Sequence, residues 1–383
     1  MKTNQTKFKQ TEIGQVPKDW GVLKVSDVAA INSKVLNKNY PYQEIEYLDT
    51  SSTDNGQILD WQKLKLGKAP SRAKRILKEK DIVISTVRPN LKHFAIMGDI
   101  KENAIASTGY AVISAQKSDH KYLYYRLTTD DITEHLSKIA ETSTSTYPSI
   151  RPEIIANLEF PFPPLPEQQK IAEILGALDE KIEMNRKMNK TLEQIGQAIF
   201  KRWFMENNDL NNWKYEDLEN IVDIEYGRGL PDEIKNGPYL VYGAGGIKGF
   251  SNNHNEENAQ LIIGCRGTCG NITLTKPRSF VTHNSLVLRI KDGQKFKIFS
   301  LKYFLSQAPI QGVITGSTQP QITINNLSKL PVLIPDELII EKFNELLEPI
   351  FNFTNKIEEQ NKTLSQIRDS LLPRLMSGKL RVG

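Results

Sequence analysis

Two stretches of the chain place apolar residues at three- and four-residue spacing over several heptads, and elsewhere the pattern shortens to brief apolar runs between turn residues. With Ile171 set at heptad position d, the d series runs Ile171, Leu178, Asn185, Leu192, Ile199, and the a series Leu175, Ile182, Asn189, Gly196, Trp203. In the second stretch d is Phe343, Ile350, Ile357, Leu364, Leu371 and a is Leu347, Thr354, Asn361, Arg368, Leu375. With Glu and Lys between them, these positions predict two amphipathic helices of coiled-coil type, each about 35 residues and roughly 52 Å long. Pro161, Pro163, Pro164 and Pro166 stop any helix upstream of the first, and Pro331 and Pro335 do the same for the second. Pro349 lies inside the second run and predicts a kink, or a break near its start. Asn189 and Asn361 share an a position, where buried amides cost stability and fix register or partner orientation.

The regions before each helix read as mixed α+β. Asp81–Ser85, Tyr110–Ile113, Gln260–Ile263, Ile272–Leu274 and Ser285–Leu288 are strand candidates, and Tyr122–Ile139 is helical in character. The predicted order is a first globular region (1–160), a central helix (161–205), a second globular region (206–335) and a C-terminal helix (336–383).

The chain is also built twice. A shift of 172 residues lays Asn189–Ile195 on Asn361–Ile367, Ser145-Thr146 on Ser317-Thr318, Pro148 on Pro320, Ile150 on Ile322, Leu158 on Leu330 and Arg202 on Arg374. Across 145–204 and 317–376, 16 of 60 positions are identical, more than shared composition produces. A weaker echo at a shift of 193 matches Trp20, Val25 and Val28 with Trp213, Leu218 and Ile221. The copies agree at their edges and diverge in their middles, as a pseudo-twofold repeat with two different heads would.

Composition narrows the function. No apolar stretch reaches the ~18 residues of a membrane span, and the polar N-terminus lacks a signal-peptide core. Two cysteines in 383 residues cannot staple a secreted fold, so the expected home is the reducing cytoplasm. The net charge of +5 is compatible with nucleic acid without demonstrating it. Residues 1–160 hold 23 basic and 19 acidic groups, most of the excess.

Catalytic constellations are missing from the sequence. Cys265 and Cys269 have no second pair, and a zinc site needs about four ligands, so they read as reduced thiols. Tyr242–Gly249 is glycine-rich without phosphate-loop order, because Lys248 stands where the third glycine belongs. Pro231-Asp-Glu-Ile-Lys235 mimics a nuclease carboxylate motif, but its acids are adjacent instead of on separate strands. The Phe162-Pro-Pro-Leu165 run lacks the residues that an amino-methyltransferase sets around its target base.

Binding signals are richer. Residues 63–80 carry Lys63, Lys65, Lys68, Arg72, Lys74, Arg75, Lys78 and Lys80 against Glu79 alone, a block suited to phosphate contacts or to a solvated surface. Ser85–Lys92 follows a strand and presents Thr86, Arg88, Asn90 and Lys92, side-chain types that read guanine and adenine edges. Gly264–Asn271 does the same after its own strand with Arg266 and Thr268.

In their order these segments resemble the DNA-specificity subunits of type I restriction–modification systems. The residues that carry the resemblance are Ile13–Trp20, Asp81–Asn90, Pro164–Ile171 running into the long helix, Tyr242–Gly246, Arg266–Gly270, Gly316–Pro320 and Leu371–Leu380. The second linker departs from the pattern, with Pro335-Asp-Glu-Leu338 in place of the usual Pro-Leu-x-Glu-Gln. The resemblance implies an α+β fold with two α/β target-recognition domains separated by two long antiparallel coiled-coil helices. It further implies a non-catalytic chain that reads a bipartite, asymmetric double-stranded DNA site. Two methyltransferase subunits using S-adenosylmethionine to methylate adenine N6 would be its partners, together with restriction subunits using ATP and Mg. No cofactor is expected in this chain itself. Half-sites about one DNA turn apart, near ~34 Å, are expected by analogy with dimeric readers. Candidate DNA contacts are Arg72, Lys74, Arg75, Thr86, Arg88, Asn90 and Lys92, then Tyr242, Lys248, Arg266 and Thr268. Candidate seam and docking residues are Ile171, Leu175, Leu178, Ile182, Asn189, Leu192, Phe343, Leu347, Ile350, Ile357, Asn361 and Leu364. The competing class is a coiled-coil scaffold whose two heads bind protein or glycan.

Overall fold

The computed structural model describes residues 8–12, 14–142, 147–206, 213–231, 234 and 237–382. Ile13, Ser145, Thr146 and the Asp232, Glu233 and Lys235 of the carboxylate-like motif lie outside the described residues. The chain divides into two compact units, Met1–Met184 with Asn361–Gly383, and Asn185–Gln360. The architecture is α+β: globular α/β regions joined by two long antiparallel helices, Leu165–Phe204 and Glu337–Met376, each passing from one unit into the other.

In the first unit a four-stranded antiparallel sheet runs in the order Phe94–Ile96, Ile82–Ser85, Tyr110–Ala115, Ala29–Ile31. A second sheet, Gln62–Lys65, Glu44–Leu48, Ala104–Ser107, Ala73–Ile76, has its central pair parallel. Ile82–Ser85 is buried throughout because both of its faces are covered. Ile82 and Ile84 join the core formed with the helices, and Val83, one step along the pleat, joins Leu48, Ala104 and Ala106 of the second sheet. Expected helicity over Tyr122–Ile139 is met by two helices, His120–Leu127 and Asp130–Glu141. Thr129 is extended (ψ 153°) and starts the second of them, with Asp130 and Asp131 in its positive first turn.

The second unit repeats this plan. Ile272–Leu274, Leu261–Gly264, Ser285–Ile290 and Val222–Tyr226 form the antiparallel sheet, and Gly246–Ser251, Tyr239–Gly243 and Phe280–Val281 form the other, again with a parallel pair. Leu261 and Ile263 face the main core while Ile262 packs with Tyr242, Val281 and Val287. Each unit also pairs the strand near its start with the strand before its long helix: Gly21–Lys24 with Glu159–Phe162, and Lys214–Asp217 with Pro331–Ile334. One hydrogen bond is common to both, Val25 N–H to Leu158 O and Leu218 N–H to Leu330 O, each at 3.0 Å. The weak echo of 193 residues is therefore a structural equivalence.

The long helices begin as expected, with Pro166 in the first turn of one and Pro335 just ahead of the other. Pro349 does not break the second helix, which is continuous from Glu337 to Met376. The N–H that proline lacks would have served Glu345, and both residues are exposed, so water can take that carbonyl. In the first unit the helices meet through Arg368 on Asp179 (2.8 Å), which also accepts the Tyr125 hydroxyl (2.7 Å). Asn361 there donates to the Ile182 carbonyl at 3.4 Å. In the second unit Asn185 donates to the Gln360 side chain at 2.9 Å, while the side-chain Oδ1 of Asn189 is buried without a partner. Gly196 permits a close approach: a Cβ there would collide with the Tyr303 hydroxyl.

A clasp closes the first unit. Arg381 near the C-terminus binds Glu167 (2.6 and 2.8 Å) and Asp19 (2.6 and 3.0 Å), and lies 5.7 Å over the buried Trp20 ring, whose indole N–H also donates to Glu167. That guanidinium holds the Asp19 carboxyl below its ordinary pKa.

Candidate nucleic-acid interface

The candidate loop of the first unit begins where Ile82–Ser85 ends. Gly109 O accepts both the Thr86 amide (2.8 Å) and its hydroxyl (2.9 Å), so Thr86, only 6% exposed, builds the loop and does not present a reader. Arg88 follows with a left-handed backbone (φ 48°), capping the turn Pro89–Leu91, and Lys92 closes that turn in the same conformation (φ 54°). Two non-glycine residues of this kind in five persist only where surrounding bonds over-determine them. Those bonds are present: Arg88 N–H to Pro148 O (2.8 Å), Ile150 N–H to Thr86 O (2.8 Å) and Lys92 Nζ to Asp130 (2.7 Å). Arg88 and Asn90 are exposed, and the Arg88 guanidinium lies 5.1 Å from the centroid of the Tyr147 ring.

The basic run is not one patch. Lys63 and Lys65 lie on the strand at one edge of the second sheet, and Lys74 and Arg75 on the strand at the opposite edge. Two strands separate them, roughly 14 Å at 4.8 Å per strand. Arg72 is exposed and paired with Asp49 at 2.7 Å, while its carbonyl accepts from Thr108 beside the Thr86–Gly109 contact. Lys74 is exposed, but Arg75 is partly buried, with its Nε lacking a partner and burial lowering its pKa, so it is poorly placed for phosphate.

The second unit builds its loop differently on the same plan. Leu261–Gly264 leads into buried Cys265, then exposed Arg266, Gly267 and Thr268. Ile322 N–H donates to Cys265 O at 3.0 Å, and Arg266 pairs across a backbone bridge with Gln321. A Cβ at Gly264 would strike the carbonyls of Thr268 and Ala244, so glycine is what lets this loop meet the turn at Gly243–Gly246. Lys248 is exposed on the strand after that turn, its side chain folded along Gly243. Tyr242 is a correction to the sequence reading: it is 3% exposed in the core, and its hydroxyl accepts the Lys276 N–H at 3.2 Å, so it does not reach the surface as a DNA contact. Cys265 and Cys269 are free, and the Cys269 thiol donates to Pro320 O at 2.9 Å. Burial pushes both thiols up, favouring the protonated form. Among the described residues no cluster of His, Cys, Asp or Glu could hold a metal ion, and no helix is long and apolar enough to cross a membrane.

The two loops thus occupy one position in a duplicated framework. Thr86 and Cys265 are equivalent, as are Val87 and Arg266, whose bridges go to Ser149 and Gln321, themselves 172 residues apart. The family model described as type I restriction modification DNA specificity domain matches this chain twice, over residues 17–194 and 211–366. The chain belongs to that family. It is similar over 99% of its length, at 26% identity, to the type I restriction enzyme MjaIX specificity subunit of Methanocaldococcus jannaschii, 97% of which is covered. Identity to the HindI specificity subunit of Haemophilus influenzae is 22%, covering 94% of this chain and all of that one. The fold is that of the type I S subunit from M. genitalium, with a TM-score of 0.58 at 17% identity over 97% of this chain and 99% of the other. Membership assigns this chain the specificity role and no catalytic one.

Of the seam candidates, Ile171, Leu175, Ile182, Phe343, Leu347 and Ile357 are buried, and Leu178, Asn189, Leu192, Ile350, Asn361 and Leu364 are partly buried. Sequence reasoning missed the outer edge of the helices. Heptad position g carries exposed apolar residues: Ile174 and Ile367 in the first unit, and Met188, Ile195, Leu346 and Phe353 in the second. The opposite e edge supplies Asp179, Glu193 and Glu358, bonded to Tyr125, Lys302 and Lys276 of their own globular regions. A search for apolar residues just outside the a and d series would have found the g edge.

Proposed function

We propose that each globular region reads one half of a bipartite, asymmetric double-stranded DNA site, and that the chain brings adenine-N6 methyltransferase and restriction subunits to that site. The observation that carries this reading is the pair of Arg-bearing loops, at the same place in each copy, on a shared backbone framework with unlike side chains. Two unlike half-sites need that combination. Arg88 and Arg266 present forks suited to guanine, and Arg72, Lys74, Asn90, Lys248 and Thr268 are also exposed and available for phosphate or base contacts.

The exposed g edge supports partner docking. Under the 172-residue shift Ile174 is Leu346 and Ile195 is Ile367, so each unit carries an equivalent apolar pair, as docking of two copies of one protein requires. The chemistry lies with those partners: S-adenosylmethionine in the methyltransferase, ATP and Mg in the restriction subunits, and target adenines flipped into the methyltransferase pocket. The cytoplasm is the proposed site of action.

Titration of the assembled complex with labelled duplexes tests this directly. The apparent affinity should fall linearly with the logarithm of salt concentration, and one sequence should exceed random DNA by about 10³-fold or more. Salt-independent or undetectable DNA binding would favour a scaffold with protein- or glycan-binding heads.

A further inference from the structure

The repeat contains a pattern that neither loop explains alone. Pro148 and Ile150 recur as Pro320 and Ile322, but the residues between and beside them differ: Tyr147 is replaced by Gln319, Ser149 by Gln321 and Arg151 by Thr323. The recurring residues are the ones that anchor the segment, and the residues around them are free to vary. Ile150 and Ile322 are the anchors: they are 7% and 2% exposed, and their amides hold the carbonyls of Thr86 and Cys265. Pro148 O accepts from Arg88, and Pro320 O from the Cys269 thiol, so each segment is bonded to the reading loop of its own unit.

We propose that Tyr147 in the first unit, and Gln319 with Gln321 in the second, are base-contacting residues that complete the reading surfaces of Arg88 and Arg266. This deepens the DNA-reading function proposed above and rests on it. Tyr147 is 57% exposed beneath the Arg88 guanidinium, and a ring in that position limits the plane of the fork, as two-pronged bonding to guanine O6 and N7 requires. Gln321 is exposed and bridged to Arg266 through the backbone, Gln319 is exposed two residues before it, and a glutamine amide both donates and accepts, matching adenine N6 and N7. Backbone atoms do the holding in both segments, so a purely supporting role would leave the exposed side chains interchangeable.

The test uses complexes assembled with the partner methyltransferase. Methylated motifs are mapped for wild type, Tyr147→Ala and the Gln319→Ala, Gln321→Ala pair, and affinities are measured for the wild-type motif and its single-base variants. Tyr147→Ala should relax one or two positions in one half-site only and weaken the intact motif about ten-fold, with little further loss on duplexes already altered there. The glutamine pair should do the same in the other half-site. Should one variant fail to assemble, the other tests the assignment by itself. Unchanged motifs and affinities, or an equal loss on every duplex, would overturn it while leaving the DNA-reading function standing. A wild-type complex without sequence preference would overturn both.

Discussion

Phe343→Ala is expected to lower the stability of the second unit by about 3–5 kcal/mol, the range for emptying a buried aromatic site. Phe343 has no exposed surface and opens the last long helix. Its ring lies 4.8 Å from that of Phe204, 5.9 Å from Phe200 and 6.2 Å from Trp203 at the end of the first long helix. The rings of Tyr303 and Phe304, on the helix Ile298–Gln307 of the globular region, are also 6.2 Å away. One side chain therefore joins three segments, and edge-to-face geometry adds to the area it buries. Denaturant titration followed by circular dichroism measures the loss. A change below about 1 kcal/mol would mean that the cluster repacks around the cavity. The equivalent position in the first copy is Ile171, also fully buried but smaller, so its truncation should cost less.

Arg88→Ala should act on recognition and leave folding alone, because the side chain is exposed and the loop is held by backbone bonds. Losing a two-pronged guanine contact costs about 1–3 kcal/mol of discrimination, confined to one position of one half-site. Binding to single-base variants of the duplex measures it, with Arg266→Ala as the counterpart for the other half-site. An equal loss on all sequences, with a shallower salt dependence, would identify Arg88 as a phosphate contact.

What the sequence made legible follows from how each element is stabilised. Ile82–Ser85, Tyr110–Ile113 and Leu261–Ile263 are strands because continuous apolar runs are buried on two faces, a signal local to the run. Lys214–Asp217 could not be read that way: all four residues are exposed, and the strand exists because Pro331–Ile334 lies beside it. The continuous helix through Pro349 has a local cause instead: Pro349 and Glu345 are both exposed, so water can serve the carbonyl that lacks its N–H partner. For the candidate site, the strand-to-loop pattern picked out Arg88 and Arg266, which the structure places exposed on equivalent loops. Charge alone misplaced Arg75, and loop composition misplaced Tyr242, because burial is decided by strands far away in sequence. The identity of Pro148 with Pro320 and Ile150 with Ile322 already marked the segment carrying Tyr147 and Gln319 as shared framework.

The most direct test of the central claim is to express this chain with its candidate methyltransferase subunit and genomic DNA, and to map methylated adenines by single-molecule sequencing. One bipartite motif with two unlike half-sites and a fixed gap is expected, about one DNA turn between their centres. A stable complex with an active methyltransferase that leaves no such motif would contradict the claim.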